Sequence, residues 1–279
     1  VRDTDLQDRE ARDYIKAIKR LFKWFNKRRG TDFDWDYHRH SQLRQQGESK
    51  RQHYFEQYEM TALYDAAIDY GAIPNYHSIT ATERDRLKTV LSKRLHRTKE
   101  TITPDDFEGA NSWKYPSLIA VTIDLGLRPI EIKRSTTDWL WLADKKVVIP
   151  RKEGAKENDP WECALSSRAT RAAKHWLEER KSYEKYADSD AIWLTQSGNP
   201  YESYSLNGLL DRLMKRTDIE PRGRQLTWYS LRRGAATMWA SEASLGKAAS
   251  QLRHKKLETT RRYRVAKAED RTDMADELW

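Results

Sequence analysis

Cysteine is almost absent: Cys163 is the only one in the chain. A lone cysteine excludes an internal disulfide framework and a Cys-based zinc site. No apolar run approaches the roughly 20 residues that a membrane helix needs, and the opening residues carry no signal-peptide pattern. There is no glycine-rich phosphate loop of the G-x-x-x-x-G-K-[ST] or G-x-G-x-x-G type. A G-x-S-x-G nucleophile elbow and an H-E-x-x-H zinc helix are missing as well. No acids cluster in the way that paired magnesium ions require. His38 and His40 lie close in sequence, but nothing around them completes a ligand set, so they read as loop residues. These absences point to a soluble, cytoplasmic protein with no metal and no cofactor. The chain opens on Val1 rather than Met, as a processed or trimmed chain does.

What is present is positive charge. Lys and Arg number 52 against 43 Asp and Glu, a formal net charge of +9. The excess recurs along the whole length, so the surface attracts polyanions, of which nucleic acid is the commonest. Only 38% of the residues are hydrophobic, yet 11 Trp and 14 Tyr indicate a packed fold rather than disorder. A length of 279 residues suffices for one or two domains.

The segment "ARDYIKAIKRLFKWFNKRRG" reads as a helix stopped by Gly30. Ile15, Ile18, Leu21, Phe22 and Phe25 form its apolar stripe. Lys16, Lys19, Arg20, Lys23 and Lys27 fill much of the remaining surface, with no acid between Lys16 and Arg29, which suits a phosphate backbone. Residues 31–53 are polar and aperiodic, the mark of a linker and a domain boundary. Helical patterns follow from about residue 54: "YFEQYEMTALYDAAIDYG", then "TATERDRLKTVLSKRLHR" with Thr80 or Thr82 as cap, then the apolar "YPSLIAVTIDLG" ending at Gly126. Runs at 139–142, 147–149 and 161–165, separated by charged turns, predict a three-stranded antiparallel meander. Helices resume at 166–182, 203–217, 229–242 and 257–268. The expected fold is mainly α with one small sheet.

Three basic features stand out. In "LGLRPIEI", Arg128 follows a buried helix and has Glu131 three residues on, able to hold its guanidinium on a helical face. In "WYSLRRGAATMWA", Arg232 and Arg233 open an apolar helix, with Tyr229 one turn earlier. In "LRHKKLETTRRY", Tyr263 follows His254 by nine residues. Taken singly, the first is an ion pair and the second a surface pair. The turn "PRKEGAKEND" adds Lys152 and Lys156 at a hairpin tip.

Together these elements resemble the tyrosine recombinases, the family of phage integrases and Xer-type enzymes. The family's first arginine lies in a tGLR-x-x-E motif, matched by Arg128 and Glu131 in "LGLRPIE". Its hairpin lysine is matched by Lys152, with Lys156 as the weaker candidate. Its H-x-L-R-H motif reads "YSLRR" here, so Arg232 matches the second arginine and Tyr229 stands at the usual histidine. Its L-G-H motif reads "LRH", matching His254, with Arg253 where the family prefers glycine. Its tyrosine nine residues later is Tyr263. The resemblance covers roughly residues 54–268, and the order and spacing of five elements is what makes it specific. Residues 71–112 form a longer connection than usual.

The resemblance implies a tyrosine-recombinase catalytic fold over 54–279, a linker over 31–53, and in 1–30 the last helix of a truncated core-binding domain. It implies an integrase of a mobile element that cuts and rejoins DNA without metal or ATP. Tyr263 would attack the scissile phosphodiester to form a 3′-phosphotyrosyl bond. A tyrosine with an ordinary pKa of ~10 is a poor nucleophile until it loses its proton, and nearby cations favour the phenolate. Arg128 and Arg232 would clamp the non-bridging oxygens, and Lys152 would protonate the leaving 5′-oxygen. His254 and Tyr229 would bond the phosphate or position the nucleophile. Double-stranded attachment-site DNA, a tetramer on that DNA and a nucleoid-associated location follow. The tail, with Met274, Leu278 and Trp279, would dock on a neighbouring subunit or pack in cis. Alternatives are a type IB topoisomerase-like activity, a non-catalytic DNA-binding protein on the same scaffold, and an RNA-binding helical module, the last without RNP or KH motifs.

Overall fold

A computed structural model describes residues 8–33, 53–150, 160–254, 256–261 and 263. The chain divides into two compact units, Val1–Gln52 and His53–Trp279. In the first, α1 spans Asp8–Arg29 and ends where Gly30 donates its N–H to Asn26 O at 2.9 Å. Ile18, Leu21 and Phe25 of its stripe are exposed within that unit, as are Lys16, Lys19, Arg20, Lys23 and Lys27. Most of the expected linker, from residue 34 to 52, lies outside the described residues.

The second unit is built round one apolar helix. α5 (Lys114–Leu125) buries nearly every side chain because it packs against α2 (Gln57–Tyr70), α7 (Ser167–Arg180) and α9 (Trp228–Glu242) on different sides. Helix α9 comes close enough that a Cβ on Gly234 would sit 2.3 Å from Phe55 O, so no side chain fits there. The cores of α8 (Ser203–Met214) and of the Trp176 and Trp193 region complete the same cluster. No helix among the described residues is long and apolar enough to cross a membrane.

The long connection at 71–112 folds into α3 (Ala81–Leu95) and α4 (Pro104–Glu108). It buries Leu87, Leu91, Ile102 and Phe107, and Arg94 reaches Glu179 at 2.7 Å. The connection returns to its own start through Ser112 N to Gly71 O at 2.6 Å. Of the two threonines proposed as caps, Thr80 does the work, accepting from Glu83 N at 3.2 Å.

The meander forms as expected, with β1 (Leu140–Trp141), β2 (Lys146–Ile149) and β3 (Trp161–Ala164) in the order β1-β2-β3, both pairs antiparallel. Short elements escape the periodicity argument. α6 (Pro129–Arg134) is only 6 residues long. α10 (Leu245–Leu252) buries small or polar residues, Ala248, Ala249 and Gln251, together with Leu252. Gln251 secures it by pairing with the strand edge, donating to Ala164 O at 2.8 Å and accepting from Ala164 N at 3.0 Å. α11 (Leu257–Arg261) begins the helix expected at 257–268, and residues 264–279, including Met274, Leu278 and Trp279, lie outside the described residues.

Candidate phosphate-binding site

The site sits where α5 ends. Gly126 adopts φ +56, which turns the chain sharply and leaves its carbonyl and that of Leu125 without helical partners. Two residues later Arg128 caps α6, with Pro129 at the first helical position. Glu131 holds the Arg128 guanidinium as expected, but across the start of the helix rather than along a helical face. Arg128 precedes the helix, and Glu131 reaches back to it as in a capping box. Glu131 Oε2 accepts from the Arg128 backbone N–H at 2.8 Å, and Oε1 from Arg128 Nη1 at 2.8 Å. The Arg128 side chain keeps 15% exposure while that of Glu131 has 1%.

Arg232 is not half of a surface pair. It is buried in the first turns of α9, with 5% exposure. It donates Nη2 to Leu252 O at 2.7 Å and Nη1 to Gly126 O. The Arg232 guanidinium thus takes up helix-end carbonyls of α5 and α10 and keeps further N–H donors. Its neighbour Arg233 points elsewhere, bonding His53 O at 3.2 Å. Tyr229 lies one turn before Arg232 and is exposed.

α10 ends at Arg253, whose φ of +58 is the left-handed conformation. A glycine adopts it without strain, which explains physically why glycine suits this position. Arg253 nevertheless has a task that sequence reasoning missed. Its side chain turns inward, donating Nη2 to Glu131 Oε2 at 2.7 Å and Nη1 to Leu125 O at 2.9 Å. Cys163 Sγ lies 3.6 Å from the same Nη1.

The turn also delivers His254. Its backbone N–H bonds Ala249 O at 2.9 Å, and its Nδ1 lies 3.0 Å from the hydroxyl of buried Thr260. The His254 ring stacks on Tyr263, with centroids 5.8 Å apart and planes 16° from parallel. Tyr263 packs beside Ala235, Ala236 and Leu252, and its N–H bonds Thr260 O at 2.9 Å. Thr260, invisible as a site residue in the sequence, therefore braces the His254 ring through its hydroxyl and the Tyr263 backbone through its carbonyl.

Two guanidiniums bond one carboxylate here and a third, that of Arg232, lies close by, so the pocket carries surplus positive charge. Burial alone would raise the Glu131 carboxyl, but Arg253 and then Arg128 hold it at about 2. Burial, reinforced by Arg253 and Arg128, pushes Arg232 down to about 9. An arriving oxyanion relieves the penalty on the Arg232 charge, and planar forks match its oxygens. The structure thus brings together Arg128, Arg232, His254 and Tyr263. Lys152 and Lys156 lie outside the described residues.

Residues 85–270 match the family model described as "Phage integrase family". No curated protein matches the chain. Among solved structures it is similar to the XerH site-specific recombinase bound to palindromic difH substrate, in a post-cleavage complex. The two are 17% identical with a TM-score of 0.60, over 98% of this chain and 67% of that one. It is also similar to XerA recombinase at 14% identity and a TM-score of 0.50, over 72% of this chain. It spans 62% of the XerA chain. With its small antiparallel sheet against a helical body, and with the match extending over most of its length, the chain belongs to the phage integrase family and has the tyrosine recombinase fold.

Proposed function

We propose that this protein is a site-specific DNA recombinase, an integrase that cleaves and rejoins strands through a 3′-phosphotyrosyl intermediate. The observation that carries the reading is the convergence of Arg128 and Arg232 on the end of α5, beside the stacked pair His254 and Tyr263. Family membership supports it.

In the first step the Tyr263 oxygen attacks the scissile phosphorus. The bond from phosphorus to the 5′-oxygen breaks, the phenol proton passes to solvent, and the leaving 5′-oxygen takes up a proton from Lys152. Arg128 and Arg232 stabilise the charge that builds on the non-bridging oxygens, where a preorganised donor is worth most. His254, held by Thr260, and Tyr229 bond the phosphate or orient the nucleophile. In the second step the 5′-hydroxyl of a partner strand attacks the phosphotyrosine and releases Tyr263. The phosphodiester energy is kept in the ester, so the exchange consumes no ATP.

In this reading residues 1–30 are part of a core-binding domain whose Lys16, Lys19, Arg20, Lys23 and Lys27 grip the phosphate backbone. Residues 31–53 are a linker, and 54–279 form the catalytic domain, four copies acting together on double-stranded attachment sites. A nicked DNA that traps the intermediate tests the proposal. The chain should form a covalent DNA adduct in EDTA, and Tyr263→Phe should form none. An adduct that persists in that variant, or that requires a divalent metal, refutes it.

A further inference from the structure

Arg253 occupies a backbone conformation in which a side chain is strained, yet its side chain is almost wholly buried, with 2% exposure. Ending α10 calls for the left-handed turn, which glycine would make without strain, but not for a buried guanidinium. The guanidinium spans two places that matter to the phosphate pocket. One is Glu131 Oε2, at 2.7 Å. The other is the end of α5, where Leu125 O accepts at 2.9 Å beside the Gly126 carbonyl that Arg232 uses.

Glu131 therefore divides its two oxygens. Oε1 takes one donor of the Arg128 side chain, while Oε2 takes the Arg128 backbone N–H and Arg253. A carboxylate with a free oxygen next to a guanidinium draws it into a two-bond fork. With Oε2 occupied, Arg128 stays attached through a single Nη1 and its remaining donors are available to an oxyanion. Arg253 also balances the Glu131 charge that would otherwise cancel Arg128.

We propose that Arg253 is a positioning residue for strand cleavage: by holding Glu131 against the end of α5, it keeps Arg128 open to the scissile phosphate. It contacts no substrate and acts through Glu131. This inference rests on the recombinase reading above.

The test is Arg253→Gly, which removes the side chain and the backbone strain together. Its affinity for attachment-site DNA should stay within about threefold of the parent, and its melting should remain cooperative. The rate of covalent adduct formation at saturating DNA should fall by roughly 10- to 100-fold, as expected when a clamp is displaced by about 1 Å. In a Glu131→Gln background the same change should cost under about threefold, because no carboxylate remains to be shared. Wild-type cleavage in Arg253→Gly overturns the inference, as does a loss of DNA affinity equal to the loss of cleavage. An undiminished penalty in the Glu131→Gln background overturns it too. Should Arg253→Gly melt below the assay temperature, Arg253→Lys carries the test. A single ammonium cannot bridge Glu131 and Leu125 O together, so an unchanged rate there is equally fatal. A parent chain that forms no adduct defeats the recombinase reading and this inference with it. An active parent with an unaffected Arg253→Gly defeats the inference alone.

Discussion

Glu131 and Glu179 are both carboxylates with almost no exposure, and both hold an arginine, yet their surroundings are opposite in kind. Glu179 accepts from Arg94 Nη2 at 2.7 Å, the Trp113 N–H at 2.9 Å and the Tyr183 hydroxyl at 2.6 Å, with Ser112 adding a fourth donor. One cation meets one anion and neutral donors fill the rest, which closes the site and ties α3, α5 and α7 into one scaffold. Among the described residues Glu131 accepts only from Arg128 and Arg253, with Arg232 close by, so cations outnumber it. A balanced buried cluster holds a fold together, whereas an unbalanced one stores an electrostatic penalty that a ligand of opposite sign removes.

The contrast can be broken most sharply at Arg128. In Arg128→Lys a point charge replaces the fork, and adduct formation on trapped DNA should fall on the order of 10²- to 10³-fold while gel-shift affinity is largely kept. Equal loss of both would make Arg128 structural, like Arg94. The converse variant is Glu179→Ala, which strands Arg94 and the neutral donors. Chemical denaturation should show a loss of about 3 kcal/mol or more, with the cleavage rate of the remaining folded protein unchanged. A specific loss of cleavage there would erase the distinction.

Acid titration probes the unbalanced cluster next. The folded-state carboxyl of Glu131 lies at about 2, below its ordinary value of 4.5. Its contribution is therefore fully present above pH 4.5 and is lost as pH falls through about 2. That gap corresponds to about 3 kcal/mol. Urea unfolding at pH 4.5 and 2.5 should reveal most of that loss, and Glu131→Gln should flatten the slope. The smallest effect concerns anions. At constant ionic strength, sulfate in place of chloride should raise Tm by roughly 2–4 °C at tenfold its dissociation constant. Arg128→Ala should abolish that rise, and Glu179→Ala should leave it intact.

Local patterning carried much of the architecture. The 3.6-residue stripe located α1, the apolar run located α5, and β-rich segments between charged turns located the meander. α10 was missed because its packed face is Ala248, Ala249 and Gln251, residues whose burial depends on β3 lying opposite. Arg232 looked superficial beside Arg233 because nothing local says that one guanidinium faces the carbonyls of Gly126 and Leu252 while the other faces His53. The spacing of Arg128, Arg232, His254 and Tyr263 was readable as a family pattern, and the fold gathers these residues.

Linear order was enough for the longer helices and the meander, whose patterns repeat over a few positions, and for the ordered motif that links Arg128, Arg232, His254 and Tyr263. It could not show who shares Glu131. Arg128 lies three residues from that carboxylate, but Arg253 lies 122 away and meets it only because α10 packs on β3 and on the end of α5. Charge sharing falls off with distance in space and ignores distance along the chain, so the task of Arg253 emerged only once the helices were packed.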